Sequence, residues 1–400
     1  MRYANFLLTA IAFTNTCGTL GFQSSTKITS SRWGSTLSMS STATENAPKL
    51  EENIKNLKKV LYKEYTTFFN PMYKEYYKDD VSFLDPLTKL TGVSQYSNNV
   101  DMLAGRTLMG SILFDDASIS LHSVTGGAIK EDGSISDIIT RWTLRVTAKI
   151  LPWKPKAQFT GISVYKVSPS SSSMGVEVTG QEDYWDSINL REDGSGNYTP
   201  VSKGKAIDDF LGQLKPAGYK AELLAPELPY LLLRRGNGYQ VRKYPASGVC
   251  TMSYNRRDEA FADLGSFAES SKVKPLSPAL IKVFDSASSR QEKTMSWPIS
   301  FAKPGEDEAS IPSTVTDTEK IKVEKLAGQM MAVIQFDETS TEQAVRKYDS
   351  ILREYLKRDG LVPIDGTGKL IFAQYDAIYS LGKRRNEVWI PLDNDGCNPW

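Results

Sequence analysis

The chain has 400 residues, with 48 Lys and Arg, 47 Asp and Glu, three Cys and one His, which is His122. This length indicates more than one domain, each large enough to form a core without disulfide or metal staples. A formal net charge of +1 argues against bulk attraction to nucleic acid, and three Cys exclude a disulfide framework or a zinc cluster. One histidine excludes any metal site or mechanism that needs two.

The N-terminal 44 residues differ in composition from the rest of the chain. They contain three bases and no acid, so the remainder holds 45 bases and 47 acids. The apolar run 6–13 is too short to span a bilayer and fits the hydrophobic region of a signal peptide. Residues 22–44 are rich in Ser and Thr, as plastid transit peptides are. Residues 1–44 therefore resemble the bipartite presequence of algae with complex plastids. We expect plastid (chloroplast) localisation, with a signal peptide alone as the alternative.

The next part of the chain predicts helices followed by strands. A helix over 50–66 is predicted by apolar residues that recur every three or four positions, namely Leu50, Ile54, Leu57, Leu61 and Tyr65. Further helices are predicted at 71–79 and 98–109, with a short strand at 81–84. Residues 138–148 alternate between apolar and polar and predict a half-exposed antiparallel strand. Its predicted neighbours are 119–124, 159–167 and 175–185.

Helices followed by an antiparallel sheet predict an α+β fold for residues 50–212. The order resembles the cone-shaped NTF2-like superfamily, in which helices cover a curved antiparallel sheet and leave a pocket. Short motifs are also similar to a plastid-associated domain of unknown function, DUF2358. They are Arg141-Trp142, Pro152-Trp153-Lys154-Pro155, Phe159-Thr160-Gly161 and Asp183-Tyr184-Trp185-Asp186.

The predicted pocket would be lined by Asp85, His122, Trp142, Phe159, Tyr184 and Trp185. Asp85 and His122 could pair there as an acid and a base on a small apolar substrate. The alternative is plain packing, since aromatic residues at strand spacing usually form a core.

The second half of the chain contains an internal repeat, after a predicted linker at 213–226. A strand at 248–254 precedes a helix from Asp258 to about Ser270, and a strand at 330–336 precedes a helix at 341–358. Gly360 stands where a helix C-terminal glycine is expected. Two such strand–helix units predict one sheet or barrel with both helices on the outside.

Motifs at 227–393 resemble the SOUL haem-binding family. They are Pro229-Tyr230, Gly238-Tyr239-Gln240-Val241-Arg242-Lys243-Tyr244-Pro245, Trp297-Pro298-Ile299-Ser300-Phe301, Ala373-Gln374-Tyr375-Asp376 and Arg384-Arg385-Asn386-Glu387-Val388-Trp389-Ile390-Pro391-Leu392. The resemblance implies a duplicated strand–helix α+β barrel. An N-terminal NTF2-like domain joined to a C-terminal SOUL domain also resembles a plastid SOUL protein type of plants and algae.

The resemblance implies a bound haem or other tetrapyrrole, held in an apolar cleft along the first repeat helix. The residues it assigns to this cleft are Phe261, Leu264, Phe267, Ala268, Lys272, Tyr375, Lys383 and Arg384. Two departures displace the propionate anchors: Leu276-Ser277-Pro278-Ala279-Leu280 stands where the family often has a Met-Thr-x-Pro-Val strand, and the loop after Asp376 lacks the usual prolines. Residues 227–393 contain no histidine, so iron would find no histidine ligand there. Cys250, Met252 and Tyr254 are the other candidate ligands, although packing is the simpler reading of each.

The resemblance therefore implies a plastid tetrapyrrole carrier or buffer that is not an enzyme. It lacks a P-loop, a dinucleotide-binding glycine motif, a metal-ligand cluster and a nucleophile elbow. The alternatives are an enzyme acting in the NTF2-like pocket and a scaffold on plastid lipid bodies. For the scaffold, the basic outer rim of the 341–358 helix would contact an anionic lipid surface, while no nucleic acid partner is expected.

Overall fold

The computed structural model describes residues 43–66, 70–216, 225–283, 293–364, 370–376 and 384–393. The chain divides into two compact units. Unit 1 comprises residues up to Tyr184 together with Val201–Lys215, and unit 2 comprises Trp185–Pro200 together with the residues from Pro216 onwards. Segment 185–200 is thus in unit 2, although it falls within the first domain predicted from the sequence, residues 50–212. All but the last two residues of the predicted presequence, and most of the predicted linker, lie outside the described residues.

Unit 1 packs helices on a six-stranded sheet, as the predicted α+β class requires. Its helices are α1 (Ala43–Glu64), α2 (Val93–Leu103), α3 (Leu108–Leu113) and α5 (Lys203–Gln213), and unit 2 holds the short α4 (Asp186–Asn189). Its strands are β1 (Tyr77–Leu84), β2 (Lys89–Thr91), β3 (Phe114–Gly126), β4 (Ile138–Ala148), β5 (Lys156–Pro169) and β6 (Val176–Trp185), in the order β2-β1-β6-β5-β4-β3. Strand β1 pairs parallel with β6, and β4 pairs antiparallel with both β3 and β5. The stripe predicted for α1 is confirmed, because Ile54, Leu57 and Leu61 are buried.

Three predictions for unit 1 were wrong in part. The helix predicted at 71–79 is only a 3-10 turn at Lys74–Tyr76, because Tyr77 already pairs with Val178 of β6. The helix predicted at 98–109 is divided into α2 and α3 at Gly105, whose φ of 70° ends α2. Strand β4 is covered on both faces: Arg141 and Thr143, on its polar face, are buried.

Unit 2 is built on one nine-stranded sheet. Its strands are β7 (Leu231–Arg235), β8 (Gln240–Tyr244), β9 (Ser247–Tyr254), β10 (Ala279–Val283), β11 (Lys293–Phe301), β12 (Ile321–Leu326), β13 (Gln329–Phe336), β14 (Leu370–Gln374) and β15 (Asn386–Leu392). Their order is β12-β9-β11-β10-β14-β15-β13-β8-β7, and all eight described ladders are antiparallel. Among the described strands no ladder joins β12 to β7, so the sheet is open. The predicted closed barrel is therefore corrected to an open sheet.

The predicted repeat is present as two strand–helix units, β9 with α6 (Arg257–Ser270) and β13 with α7 (Glu342–Arg358). Strands β9 and β13 occupy equivalent positions on either side of the central β10–β14 pair. Helix α7 begins after Thr341, whose hydroxyl accepts from the Ala344 N–H at 3.2 Å, and Gly360 follows it with a φ of 71°.

Both faces of the unit 2 sheet carry apolar residues, but only one is covered by α6 and α7. We call this the helical face; its core includes Val241, Leu264, Ile334, Leu352 and Phe372. Alternate residues of the same strands form a second cluster on the opposite face, with Tyr244, Val333, Tyr375 and Trp389. Among the described residues, none of the helices is long and apolar enough to cross a membrane.

Candidate functional site

An open cleft of ≈ 310 Å³ lies on the helical face of unit 2, where α6 and α7 begin. Its lining residues come from both helix starts and from three strands: Tyr254, Asn255, Arg257, Ile281, Lys282, Lys293, Ser340, Thr341, Glu342, Val345 and Phe372. Ile281 and Phe372 are opposite each other in the β10–β14 ladder and supply an apolar floor. This volume is at the lower end of the range for small-molecule pockets.

The cleft has more positive than negative charge. Arg257, Lys282 and Lys293 line it, and Glu342 is the one carboxylate among the lining residues. Glu342 is itself engaged by Arg346, with nitrogen–oxygen distances of 3.0 and 3.1 Å. Burial, followed by the nearby positive charge of Arg384, lowers the pKa of Arg257 below its usual value. The cleft therefore favours a ligand that combines an apolar body with negative charge.

The face of α6 to which the resemblance assigned the ligand is already packed against the sheet. Leu264, Phe267 and Ala268 are buried in the helical-face core. Phe261 is partly buried and lies against Trp297, with ring centroids 5.5 Å apart. A ligand along this face would have to separate the helix from the sheet, whereas the cleft at the start of the helix is open without such movement.

The remaining family-implied residues do not form one site. Lys272 is exposed beyond the C-terminal end of α6, about 20 Å along the helix axis from Arg257. Arg384 lies near Arg257 at the cleft end, as judged by their electrostatic interaction. Tyr375 belongs to the cluster on the opposite sheet face. Lys383 lies outside the described residues, as does most of the loop that follows Tyr375.

On the opposite face of the sheet, the SOUL-like motifs form a buried charge network. Both Glu387 carboxylate oxygens accept from the Arg242 guanidinium, at 3.0 and 3.1 Å. Tyr375 and Trp389 each donate to one of these oxygens, at 2.9 and 2.8 Å, and Arg385 donates to the other at 3.2 Å. Burial alone would raise the pKa of Glu387, but Arg242 and Arg385 outweigh it and hold the pKa below its usual value.

Aromatic rings and a second carboxylate complete this network. Tyr244 stacks on Trp389 at 4.4 Å, and the Arg385 guanidinium lies 3.8 Å from the Tyr375 ring centre. Arg385 also makes two bonds to Glu227, at 2.7 and 3.0 Å. Charges this deep are typical of a structural cluster, because each has its partners within the protein. Arg242 and Glu387, which belong to two different SOUL-like motifs, are therefore both buried members of one cluster.

The acid–base pair considered for the NTF2-like pocket is not formed. His122 Nε2 lies 2.8 Å from the Thr143 hydroxyl, on one face of the unit 1 sheet. Thr143 follows Trp142, whose indole N–H donates to Ser163 on the opposite face. Asp85 lies on that opposite face with Asp183 and Ser163. The two carboxylates interact electrostatically, and Ser163 forms a hydrogen bond with Asp183. Asp85 and His122 are therefore separated by the sheet.

Unit 1 instead contains a buried polar network that was not predicted from the sequence. The Tyr65 hydroxyl lies 2.9 Å from Ser163, 3.1 Å from Thr140 and 3.0 Å from the Tyr165 hydroxyl. Gln181 donates to Asp183 at 2.7 Å, and burial raises the pKa of Asp183 to about 7. Period-two alternation in β5 and β6 places the residues of these two strands on one face. Tyr65, in the turn just after α1, joins them only through the fold.

The described residues offer few iron ligands in unit 2. Cys250 is buried in the core, and burial raises the pKa of its thiol to about 11, so it is not a thiolate at neutral pH. Tyr254 is the only haem-ligating side chain among the residues that line the cleft. No group of three or more His, Cys, Asp or Glu side chains within the described ranges could hold a metal ion. The cleft thus offers an apolar floor and cations, but few side chains that could ligate iron.

Two family models match the chain. The model described as "SOUL heme-binding protein" matches residues 225–391, and that of the uncharacterized conserved protein DUF2358 matches residues 55–173. The chain carries a DUF2358 domain followed by a SOUL domain. The buried Glu387 network and the strand–helix repeat described above lie within the SOUL match, and the Asp183 network draws on the DUF2358 domain and on the strand just after it. No curated protein matches the chain.

Several solved structures resemble parts of the chain remotely. An NTF2-like superfamily protein from Salmonella enterica is 13% identical, covers 34% of this chain and 92% of its own, and has a TM-score of 0.27. A putative transcription regulation protein from Staphylococcus aureus is 16% identical, with coverages of 39% and 98% and a TM-score of 0.24. A hydrolase from Listeria innocua is 11% identical, with coverages of 42% and 94% and a TM-score of 0.29.

Proposed function

We propose that this chain is a plastid tetrapyrrole-binding protein that carries or buffers haem or related porphyrins without transforming them. The observation that supports it best is the SOUL family match over residues 225–391, because that family binds haem. The helical face of the SOUL domain offers an open cleft of ≈ 310 Å³ with an apolar floor and surplus positive charge. The resemblance of residues 1–44 to a bipartite presequence supports the plastid location.

The side chains of the SOUL domain are better suited to binding a tetrapyrrole than to ligating its iron. The domain has no histidine, and Cys250 is a buried, protonated thiol. Binding would therefore rest on apolar contact and on charge pairing with the propionates, which suits a carrier or a buffer.

Titration of the full chain with haem and with protoporphyrin tests the proposed function. We expect a saturable change in absorbance with both ligands and similar affinities, because the proposed binding needs no bond to iron. A linear, unsaturated change with both ligands would reject tetrapyrrole binding. Fusion of residues 1–44 to a fluorescent protein tests the location, and a diffuse cytosolic signal would reject it.

A second candidate function is acid–base catalysis on a small apolar molecule in unit 1. The observation that favours it is Asp183, whose pKa of about 7 suits proton transfer at neutral pH. Asp183→Asn should abolish any turnover detected with the full chain, while His122→Ala should leave it unchanged, because His122 lies on the other sheet face. Equal turnover in Asp183→Asn and the wild type would dismiss this candidate.

The lipid-surface alternative finds less support in the structure. Of the basic rim of α7, Arg346 pairs with Glu342, Lys347 with Glu338, and Arg353 with Asp349. Because these charges are offset within the protein, the rim has little positive charge left for anionic lipids.

A further inference from the structure

The starts of α6 and α7 bring several sources of positive potential to one cleft. Arg257 is in the first turn of α6, which packs on the helical face. Lys293 lies opposite Tyr254 in the β9–β11 ladder, which puts Lys293 on the helical face as well. The first turn of α6 also holds the acids Asp258 and Glu259, and the Asp258 carboxylate accepts from backbone N–H groups of that turn, so the positive potential of the cleft comes from its side chains.

The cationic groups of the cleft are not neutralised by their neighbours. Within the part of the chain that the structure describes, Arg257, Lys282 and Lys293 take part in no ion pair. The nearest partner of Arg257 is Ser340, whose carbonyl and hydroxyl oxygens are both 3.4 Å from Nη1, at the long limit for a hydrogen bond. Elsewhere on the same domain, exposed cations such as Lys325 and Lys347 have carboxylate partners at 2.6 and 2.7 Å. The positive charge of these three cleft residues is therefore available to an anionic ligand.

The apolar part of the cleft is next to this charge. Phe372 and Ile281 form its floor, and Tyr254 and Val345 stand at its sides. An apolar ring system placed on Phe372 would therefore have its edge directed at the helix starts, where negatively charged substituents would be stabilised.

We propose that this cleft recognises the carboxylates of an apolar ring ligand, with Arg257 and Lys293 as the anion-binding residues. The proposal rests on the proposed function, because it states where the propionates of the tetrapyrrole bind. It places them at the N-terminal end of α6, whereas the family resemblance placed an anchor at Lys272, beyond the C-terminal end.

The test compares protoporphyrin, which has two carboxylates, with its dimethyl ester, in the full chain. The variants are Arg257→Glu/Lys293→Glu, and Lys272→Gln as the matched control. Glutamate in the first turn of a helix is compatible with folding, because an acid there complements the helix dipole. We expect the double variant to bind the free acid at least about tenfold more weakly, given the usual strength of charge-assisted bonds. It should bind the ester as the wild type does, and the Lys272 variant should match the wild type with both ligands.

Two results would overturn the assignment. If the wild type binds saturably and the double variant binds the free acid equally well, the cleft is not the site, although tetrapyrrole binding stands. If Lys272→Gln alone weakens binding, the anchor is at the other end of α6.

A third arm separates failure of the assignment from failure of the proposed function. If neither porphyrin binds the wild type, the fluorescent probe 8-anilinonaphthalene-1-sulfonate, an apolar anion, decides about the cleft. Saturable binding to the wild type that is lost in Arg257→Glu/Lys293→Glu would keep the cleft as a site for apolar anions. Equal fluorescence in both proteins, or none in either, would reject it.

Discussion

Glu387 and Arg242 form a buried, two-pronged ion pair in the SOUL domain, with nitrogen–oxygen distances of 3.0 and 3.1 Å. Strands β8 and β15 both flank β13, so this pair joins two strands that are not themselves neighbours. Tyr375, Trp389 and Arg385 add three further bonds to the same carboxylate. The pair therefore ties the last strand of the domain to an early one.

Replacement of Glu387 by Ala should destabilise the SOUL domain strongly. The change leaves Arg242 buried without its partner, which costs about 3–5 kcal/mol in comparable cases. Urea unfolding would show this as a lower midpoint. The control is Glu324→Ala, an exposed acid on edge strand β12, which should change stability by less than about 0.5 kcal/mol. Similar midpoints for both variants would contradict a structural role for the network.

Glu64 should make unit 1 less stable as the pH rises. Burial raises its pKa from 4.5 to about 7, although Tyr77 donates to it at 2.5 Å. The folded state therefore retains a proton that the unfolded chain releases, and stability falls between about pH 4.5 and 7. The effect amounts to about 3 kcal/mol for a shift of this size.

Glu64→Gln tests this pH dependence, because glutamine resembles the protonated acid. We expect the variant to match the wild type near pH 4.5 and to be more stable than it at pH 8, by thermal unfolding. Exposed Glu51→Gln on the same helix is the control and should follow the wild type at both pH values. A constant difference between Glu64→Gln and the wild type across this range would contradict the assignment.

Phe267 should matter for folding and not for ligand affinity. It is buried in the helical-face core, so Phe267→Ala should cost about 3–5 kcal/mol of unfolding free energy. Its dissociation constant for protoporphyrin, measured where the variant is fully folded, should equal that of the wild type. Phe261→Ala, which removes a partly buried ring, should destabilise less. Weaker binding by folded Phe267→Ala would support the site along α6 instead.

Cys250 should resist alkylation in the folded protein. Its side chain is buried, and its thiol pKa of about 11 leaves little thiolate at pH 8. In a Cys17→Ser/Cys397→Ser variant, where Cys250 is the one remaining thiol, iodoacetamide should give no mass increase until urea is added. Rapid modification without urea would show that strand β9 is accessible to solvent in the folded protein, which contradicts the burial of Cys250.

Most of the secondary structure of this chain could be predicted from local pattern, because period alone separates α1 and α7 from strands β4, β9 and β13. The secondary-structure predictions failed where tertiary contacts determine whether a segment is a helix or a strand. The local sequence predicts Tyr77 in a helix, but its pairing with Val178 makes it the first residue of a strand. Gly105 ended a helix that its neighbours would have continued.

The candidate site was less predictable, because its residues are far apart in sequence. Arg257, Lys293 and Phe372 meet only through the order of β9, β11, β10 and β14 in the sheet. The resemblance identified the α6 face, but alternation and helical spacing could not show that this face is already packed against the sheet. Asp85 and His122 were candidates for an acid–base pair because nothing in their spacing in the sequence reveals that they lie on opposite faces of the unit 1 sheet.

Tetrapyrrole binding by the SOUL domain is the central claim, and an absorbance titration of the full chain with protoporphyrin tests it most directly. We expect the Soret band to change until one ligand is bound per chain and then to stop. His122→Ala should give the same curve, because the lone histidine is in unit 1. A strictly linear change with no end point would contradict the account.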